Sequence, residues 1–136
     1  MNFHPDGSLP TDPKAIFVFG SNLSGVHGAG AAKTALKRFG AVSGAFGGLI
    51  GRSYAIPTKG RLKEGLPVLD LETIAKSIEG FVQVTHSRPD LFFFVTRVGC
   101  GLAGYRDGQI AHLFRGCNEN CSFAEQWKPF LIHWYR

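Results

Sequence analysis

Apolar residues in this chain alternate between short unbroken runs and longer stretches with helical spacing. Residues 15–19 and 91–96 are continuous apolar runs, as strands covered on both faces require. Residues 53–58, SYAIPT, predict another strand with Pro57 near its end, and PFLIHW at 129–134 predicts the last one. Between these runs the spacing changes. Ala32, Ala35, Leu36 and Phe39 recur at i, i+3, i+4 and i+7, so a helix is expected from Gly30, with Lys33, Lys37 and Arg38 outward and Gly40 as its stop. Asp70 is placed to cap a second helix, whose stripe is Leu71, Ile74, Ala75, Ile78 and Val82. A third helix is expected over 107–115, turning Ile110, Leu113 and Phe114 inward. Residues 1–13, with three prolines, predict an irregular lead-in, and GAVSGAFGGLIG at 40–51 predicts a loop.

This order of elements gives an α/β domain with a mostly parallel sheet. With 136 residues, no repeats and no low-complexity linker, a single domain over 1–136 is expected. In such sheets ligands sit beyond the carboxyl ends of the strands. Two glycine loops, 20–30 within GSNLSGVHGAGAA and 99–104 within RVGCGLAGY, follow strands and therefore fall at that edge. Eighteen glycines in all suggest backbone pressed against a ligand.

A net charge of +5 favours anionic partners. No run alternates basic and aromatic residues, which argues against a dedicated nucleic-acid binder. No apolar run approaches the roughly 20 residues of a membrane span, so no membrane partner is expected. The N-terminal residues lack the apolar core of a signal peptide. Cys100, Cys117 and Cys121 are odd in number and have no framework spacing, which points to free thiols and a cytoplasmic location. Cys117 and Cys121 with His112 make only three of the four ligands that structural zinc wants, so no metal is expected, nor any cofactor.

A glycine loop that opens a helix offers unpaired N–H groups and a positive dipole end, which suit a phosphate. GVHGAG at 25–30 has both features, although it is neither a P-loop nor the dinucleotide-fold fingerprint. A second loop at the same edge completes a clamp for a diphosphate. His27 is expected to touch the ligand from inside the first loop, and Tyr105 to stack on a sugar or base from the second. His4, His86, His112 and His133 read as surface or packing residues.

HGAGAAKTALKRFG, SYAIPTK and DLFFFVTRVGCGLAGY resemble three successive segments of macro domains, the ADP-ribose-binding α/β fold. The resemblance covers roughly residues 15–115, and RVGCGL is its most specific piece. It is strongest to the branch of terminal ADP-ribose protein glycohydrolase and of antitoxins that remove ADP-ribose from DNA. Small macro-like proteins of bacteria and phages are also similar. It implies a three-layer fold with a mixed, mostly parallel central sheet. It implies that Gly20, Ser21, Asn22, Gly28, Ala29 and Gly30 contact the distal ribose and diphosphate, with the Asn22 amide on the ribose. Gly99, Cys100, Gly101, Leu102, Ala103, Gly104 and Tyr105 fall on or beside the second diphosphate loop. Lys59 matches the lysine that attacks the ribose anomeric carbon in that branch. A lysine at a strand's carboxyl end, in a partly apolar cleft, is suited to nucleophilic attack.

Two departures qualify the resemblance. Ala103 stands where the branch has its catalytic aspartate, which leaves Asp107 or His27 as candidate proton acceptors. The acid that recognises adenine is not evident, and Asp12 is the stand-in. The expectation is a domain that binds ADP-ribose or a related nucleotide and removes ADP-ribose from a modified protein or nucleic acid. The alternative is a non-catalytic module that sequesters or senses such a nucleotide.

Overall fold

A computed structural model describes residues 1–132. Six strands form one sheet: β1 (Asn2–His4), β2 (Ile16–Asn22), β3 (Gly48–Ile50), β4 (Ser53–Lys59), β5 (Phe93–Val95) and β6 (Cys121–Ala124). Their order across the sheet is β1-β6-β5-β2-β4-β3. All neighbours are parallel except β3, which runs antiparallel to β4. The helices are α1 (Gly30–Arg38), α2 (Leu71–Ser87), α3 (Asp107–Ile110) and α4 (Lys128–Leu131). This is a three-layer α/β fold with a mixed, mostly parallel sheet.

The period of two along a strand explains the layers. On β2, Ile16 and Val18 face one side and join Ile74, Ile78 and Phe81 of α2, with Ile110 and Phe114 beyond them. Phe17 and Phe19 face the other side and meet Ala35 and Phe39 of α1, with Phe94 from β5. Each fully buried Ile or Phe of the α2 stripe contributes about 1.5–3 kcal/mol. Asp70 caps α2, its Oδ1 accepting from the Thr73 N–H at 2.8 Å. At the far end Asn120 Nδ2 donates to the Thr85, Arg88 and Leu91 carbonyls, closing the helix terminus. Helix α1 stops at Phe39, where Gly40 turns with φ of 74°.

Four expectations fail. The lead-in is not wholly irregular, because Asn2–His4 pairs in parallel with β6. The 40–51 loop contains β3, paired to β4 from Gly48 to Ile50. No strand had been expected over Cys121–Ala124, yet β6 lies between β1 and β5. The strand expected over 129–134 is instead α4 at Lys128–Leu131, with Pro129 in its first turn, where a missing N–H costs nothing. Residues 133 and 134 of that run lie outside the described residues. Among the described residues no helix is long and apolar enough to cross a membrane.

Candidate functional site

Strands β2 and β5 are adjacent and parallel, but the chain leaves them toward opposite faces of the sheet, into α1 and α3 respectively. Such a divergence opens a crevice at the carboxyl ends. A cleft of about 600 Å³ lies there, within the range of small-molecule sites. It reaches from His4 at the end of β1 to Lys59 at the end of β4. Four inter-strand steps separate these strands, roughly 19 Å at about 4.8 Å each.

Both glycine loops form its walls. Gly20, Ser21, Asn22, Gly28, Ala29 and Gly30 line it from the first, and Gly99, Cys100, Gly101, Leu102 and Ala103 from the second. The N-cap residue Ala29 provides no side-chain cap, and the first turn of α1 carries no acid. The N–H groups of Gly30, Ala31 and Ala32 thus lack intrahelical acceptors at the cleft wall. A Cβ on Gly28 or Gly101 would have no heavy atom within 4 Å. Neither packing nor backbone conformation demands glycine at those two positions. Gly20 differs, because a Cβ there would come within 3.3 Å of Thr58.

Asn22 lines the cleft, and its amide also holds the loop. Oδ1 accepts from the N–H groups of Ser24 and Val26, and Nδ2 donates to the Val26 carbonyl at 2.8 Å. Asn22 therefore shapes the loop, and these three bonds leave its second Nδ2 N–H unused.

His27, expected at the ligand, is turned under the loop and away from the cleft. It is 3% exposed, edge-on to Phe19, with Nε2 at 3.1 Å from both the Val42 and Ala45 carbonyls. Two carbonyl acceptors fix the proton on Nε2, and Nδ1 is buried without a partner. Its work is to pin loop 20–30 onto loop 40–51. Tyr105 and Gly104 also fall outside the lining. The Tyr105 hydroxyl donates to the Leu69 carbonyl, and its ring packs on the core. Asp12 is likewise absent from the lining; its Oδ1 accepts from the Lys14 N–H at 2.8 Å.

The carboxylate that does line the cleft is Asp6, in the turn after β1. Arg97 binds it through Nη1 at 3.1 Å and holds Asp107 through Nε and Nη2 at 2.9 and 2.8 Å. Trp127 Nε1 donates to the same Asp107 carboxylate at 2.8 Å. Burial pulls the Asp107 pKa up, but the bonds from Arg97 and Trp127 outweigh it and hold the carboxyl below its usual range. The same contacts raise the Arg97 pKa further. Asp107 is thus a fixed anchor for the second loop and is not free to accept a proton. Burial, with the Asp107 charge beside it, pushes the Cys100 thiol up to about 12, so it stays protonated and is no nucleophile. His4 stacks on Phe94 with ring centroids 3.7 Å apart and bonds Ser122 Oγ at 2.7 Å. Burial lowers its pKa to about 4, so the ring is neutral.

Lys59 lines the cleft opposite, with no carboxylate within 4.0 Å of its ammonium among the described residues. Among those residues, too, no three His, Cys, Asp or Glu side chains converge as a metal site.

Comparison with protein-family models and with curated proteins finds no match. Two solved structures share the fold. One is a protein of unknown function from Bacteroides thetaiotaomicron, 16% identical, with TM-score 0.54 over 81% of this chain and 87% of that one. The other is an X-ray crystal structure of a protein from the same organism, 14% identical, with TM-score 0.57 over 91% of this chain and 99% of that one. At these identities the likeness concerns the fold alone.

Sequence reasoning missed Asp6, Ser8, Thr58, Thr96 and Arg97, which also line the cleft. Arg97 had a signal available, as the first residue after an apolar strand and just before the glycine loop. Asp6 had none, because only the pairing of β1 with β6 brings its turn to the cleft.

Proposed function

We propose that this protein binds ADP-ribose or a closely related nucleotide across the carboxyl edge of its sheet. The observation that carries this reading is the pair Gly28 and Gly101, glycines on both walls that nothing within the protein requires. Bare backbone on two walls, with uncapped helical N–H groups beside one of them, suits a diphosphate. The length of the cleft matches a ligand with a nucleoside-sized group at each end of that diphosphate. The His4–Phe94 stack with Asp6 provides an aromatic and acidic end for a base. Lys59 stands at the opposite end, where a second sugar falls.

Removal of ADP-ribose is the less supported half of the expectation. It needs a proton acceptor beside Lys59, and Ala103 supplies none. Asp6 and Asp107 are both held by Arg97, and His27 is under the loop. Non-catalytic binding fits these side chains better.

Calorimetric titration with ADP-ribose, NAD and AMP tests the reading. ADP-ribose should bind at micromolar Kd or tighter, near −8 kcal/mol, and AMP, which fills one end only, at least about tenfold more weakly. Absence of heat at millimolar ADP-ribose would overturn the proposal while leaving the fold untouched.

A further inference from the structure

The charges are divided between two halves of the molecule. Residues 14–63 contain Lys14, Lys33, Lys37, Arg38, Arg52, Lys59, Arg61 and Lys63 and not one Asp or Glu. The other residues hold all ten acids and the remaining seven basic side chains. This acid-free stretch folds into one contiguous end of the sheet, β2, β4 and β3, with α1 laid over it. Every ion pair among the described residues lies in the other half. Arg52 is occupied by the Pro13 and Arg38 carbonyls, but Lys33, Lys37, Arg61 and Lys63 stand exposed.

Two contacts bring this half to the mouth of the cleft. Ser24 Oγ accepts from the Leu62 N–H at 2.8 Å, which fixes the turn carrying Arg61 and Lys63 against the first glycine loop. Ser21, a cleft residue, donates its hydroxyl to the Phe46 carbonyl, so the loop bearing Phe46 abuts the same edge. Phe46 is 46% exposed, an aromatic ring open to solvent in the loop that Ser21 holds at this edge.

We propose that this half is a docking surface for single-stranded nucleic acid, with phosphates on Lys33, Lys37, Arg61 and Lys63 and an unpaired base stacked on Phe46. Lys33, Lys37, Arg61 and Lys63 belong to no ion pair among the described residues. With Glu64 as the one acid in the turn that carries Lys63, the surface stays net positive, which suits a polyanion; the exposed ring selects one that carries free π-faces. A duplex hides those faces, and a polyglutamate chain or a lipid surface has none to offer. The surface lies outside the nucleotide cleft, so the inference stands apart from the nucleotide reading. Where both hold, a nucleotide in the cleft is one joined to, or ending, such a strand.

Fluorescence anisotropy with a labelled 12-nucleotide oligo-dT tests it. Binding is expected at 50 mM salt, with a log-log salt slope near −3, as four phosphate contacts at about 0.7 each give. Combined replacement of Lys33, Lys37, Arg61 and Lys63 by Gln should weaken binding at least about a hundredfold and flatten the slope. Phe46→Ala should cost roughly tenfold with the slope unchanged, since stacking is uncharged. Lys76→Gln with Arg88→Gln, on the other half, should change nothing. No binding at 50 mM salt would overturn the proposal, as would an unaffected fourfold variant. Equal affinity for duplex DNA, polyglutamate or anionic vesicles would overturn it too. The fourfold variant should keep its circular dichroism and its ADP-ribose titration, so loss of oligonucleotide binding alone is separable from failure of the cleft.

Discussion

The two glycine loops that wall the cleft look alike in composition and are held in place by different forces. The first is fixed by neutral hydrogen bonds, through Asn22 within the loop and His27 beneath it. The second hangs from charges, with Arg97 gripping Asp107 on α3 and Asp6 on the turn after β1. Within each loop the glycines also divide. A Cβ on Gly25 would sit 2.4 Å from the Gly44 carbonyl carbon, and Gly99 holds a φ of 77° against Ile110. These two serve the fold, whereas Gly28 and Gly101 leave room at the cleft. Glycine content alone therefore says little about a ligand. What matters is which glycines the protein itself does not need.

The largest expected effect comes from placing a carboxylate in the second loop at Ala103, where the macro-domain branch it resembles has one. Wild type should be slow or inert on ester-linked ADP-ribose while retaining the ligand. Ala103→Asp should raise the hydrolysis rate by about 10²–10⁴, the usual worth of a placed general base. Adding Lys59→Ala to that variant should erase the gain and leave binding largely intact, and borohydride should trap an ADP-ribose adduct only when Lys59 is present. A wild type that is already fast, and indifferent to Lys59→Ala, would make Lys59 a bystander.

A smaller effect separates the two ways of holding a loop. Asp107→Asn should cost about 2 kcal/mol, because Arg97 loses its main partner in a half-buried place. Asn22→Ala should cost about 1–2 kcal/mol from the loop bonds it removes. The pH dependence tells them apart. The folded Asp107 pKa lies below its unfolded value of about 3.9, so its contribution is complete above that pH and is lost as pH falls through the folded value. Urea unfolding should show the Asp107→Asn deficit shrinking in acid, while the Asn22→Ala deficit does not follow that titration. Equal acid dependence in the two variants would deny that charge anchors the second loop.

How much of this was legible beforehand depends on length and on partners. Strands β2, β4 and β5 and helices α1 and α2 each announced themselves by an apolar pattern, an unbroken run in β2 and β5 and a helical period in α1 and α2. Strand β6, four residues of CSFA, has none, and β1 becomes a strand only by pairing with it. PFLIHW was misread because an unbroken apolar run fits a buried helix as well as a strand. The cleft's position followed from topology. His27 and Tyr105 did not, since a residue inside a ligand-type loop can still turn its side chain into the core, and sequence does not say which way it turns.

The smallest effect is the most discriminating, because it is a difference of sign within one loop. Gly28 and Gly101 have backbone angles open to any residue and empty space where a Cβ would stand. Replacing either by Ala should leave stability unchanged or raise it by roughly 0.4–1 kcal/mol, as fewer unfolded conformations compete. Gly25→Ala, three residues away, should lower stability instead, because its φ of 64° and the Gly44 backbone both oppose a side chain. Ligand affinity should move the other way. Gly28→Ala and Gly101→Ala should each weaken ADP-ribose binding by about tenfold, since a methyl group then stands where a diphosphate approaches the backbone. Thermal melts and calorimetry on the same three variants read both quantities. Destabilisation by Gly28→Ala and Gly101→Ala, with affinity kept, would mean that the fold requires these glycines after all and that the walls of the cleft were never shaped for a ligand.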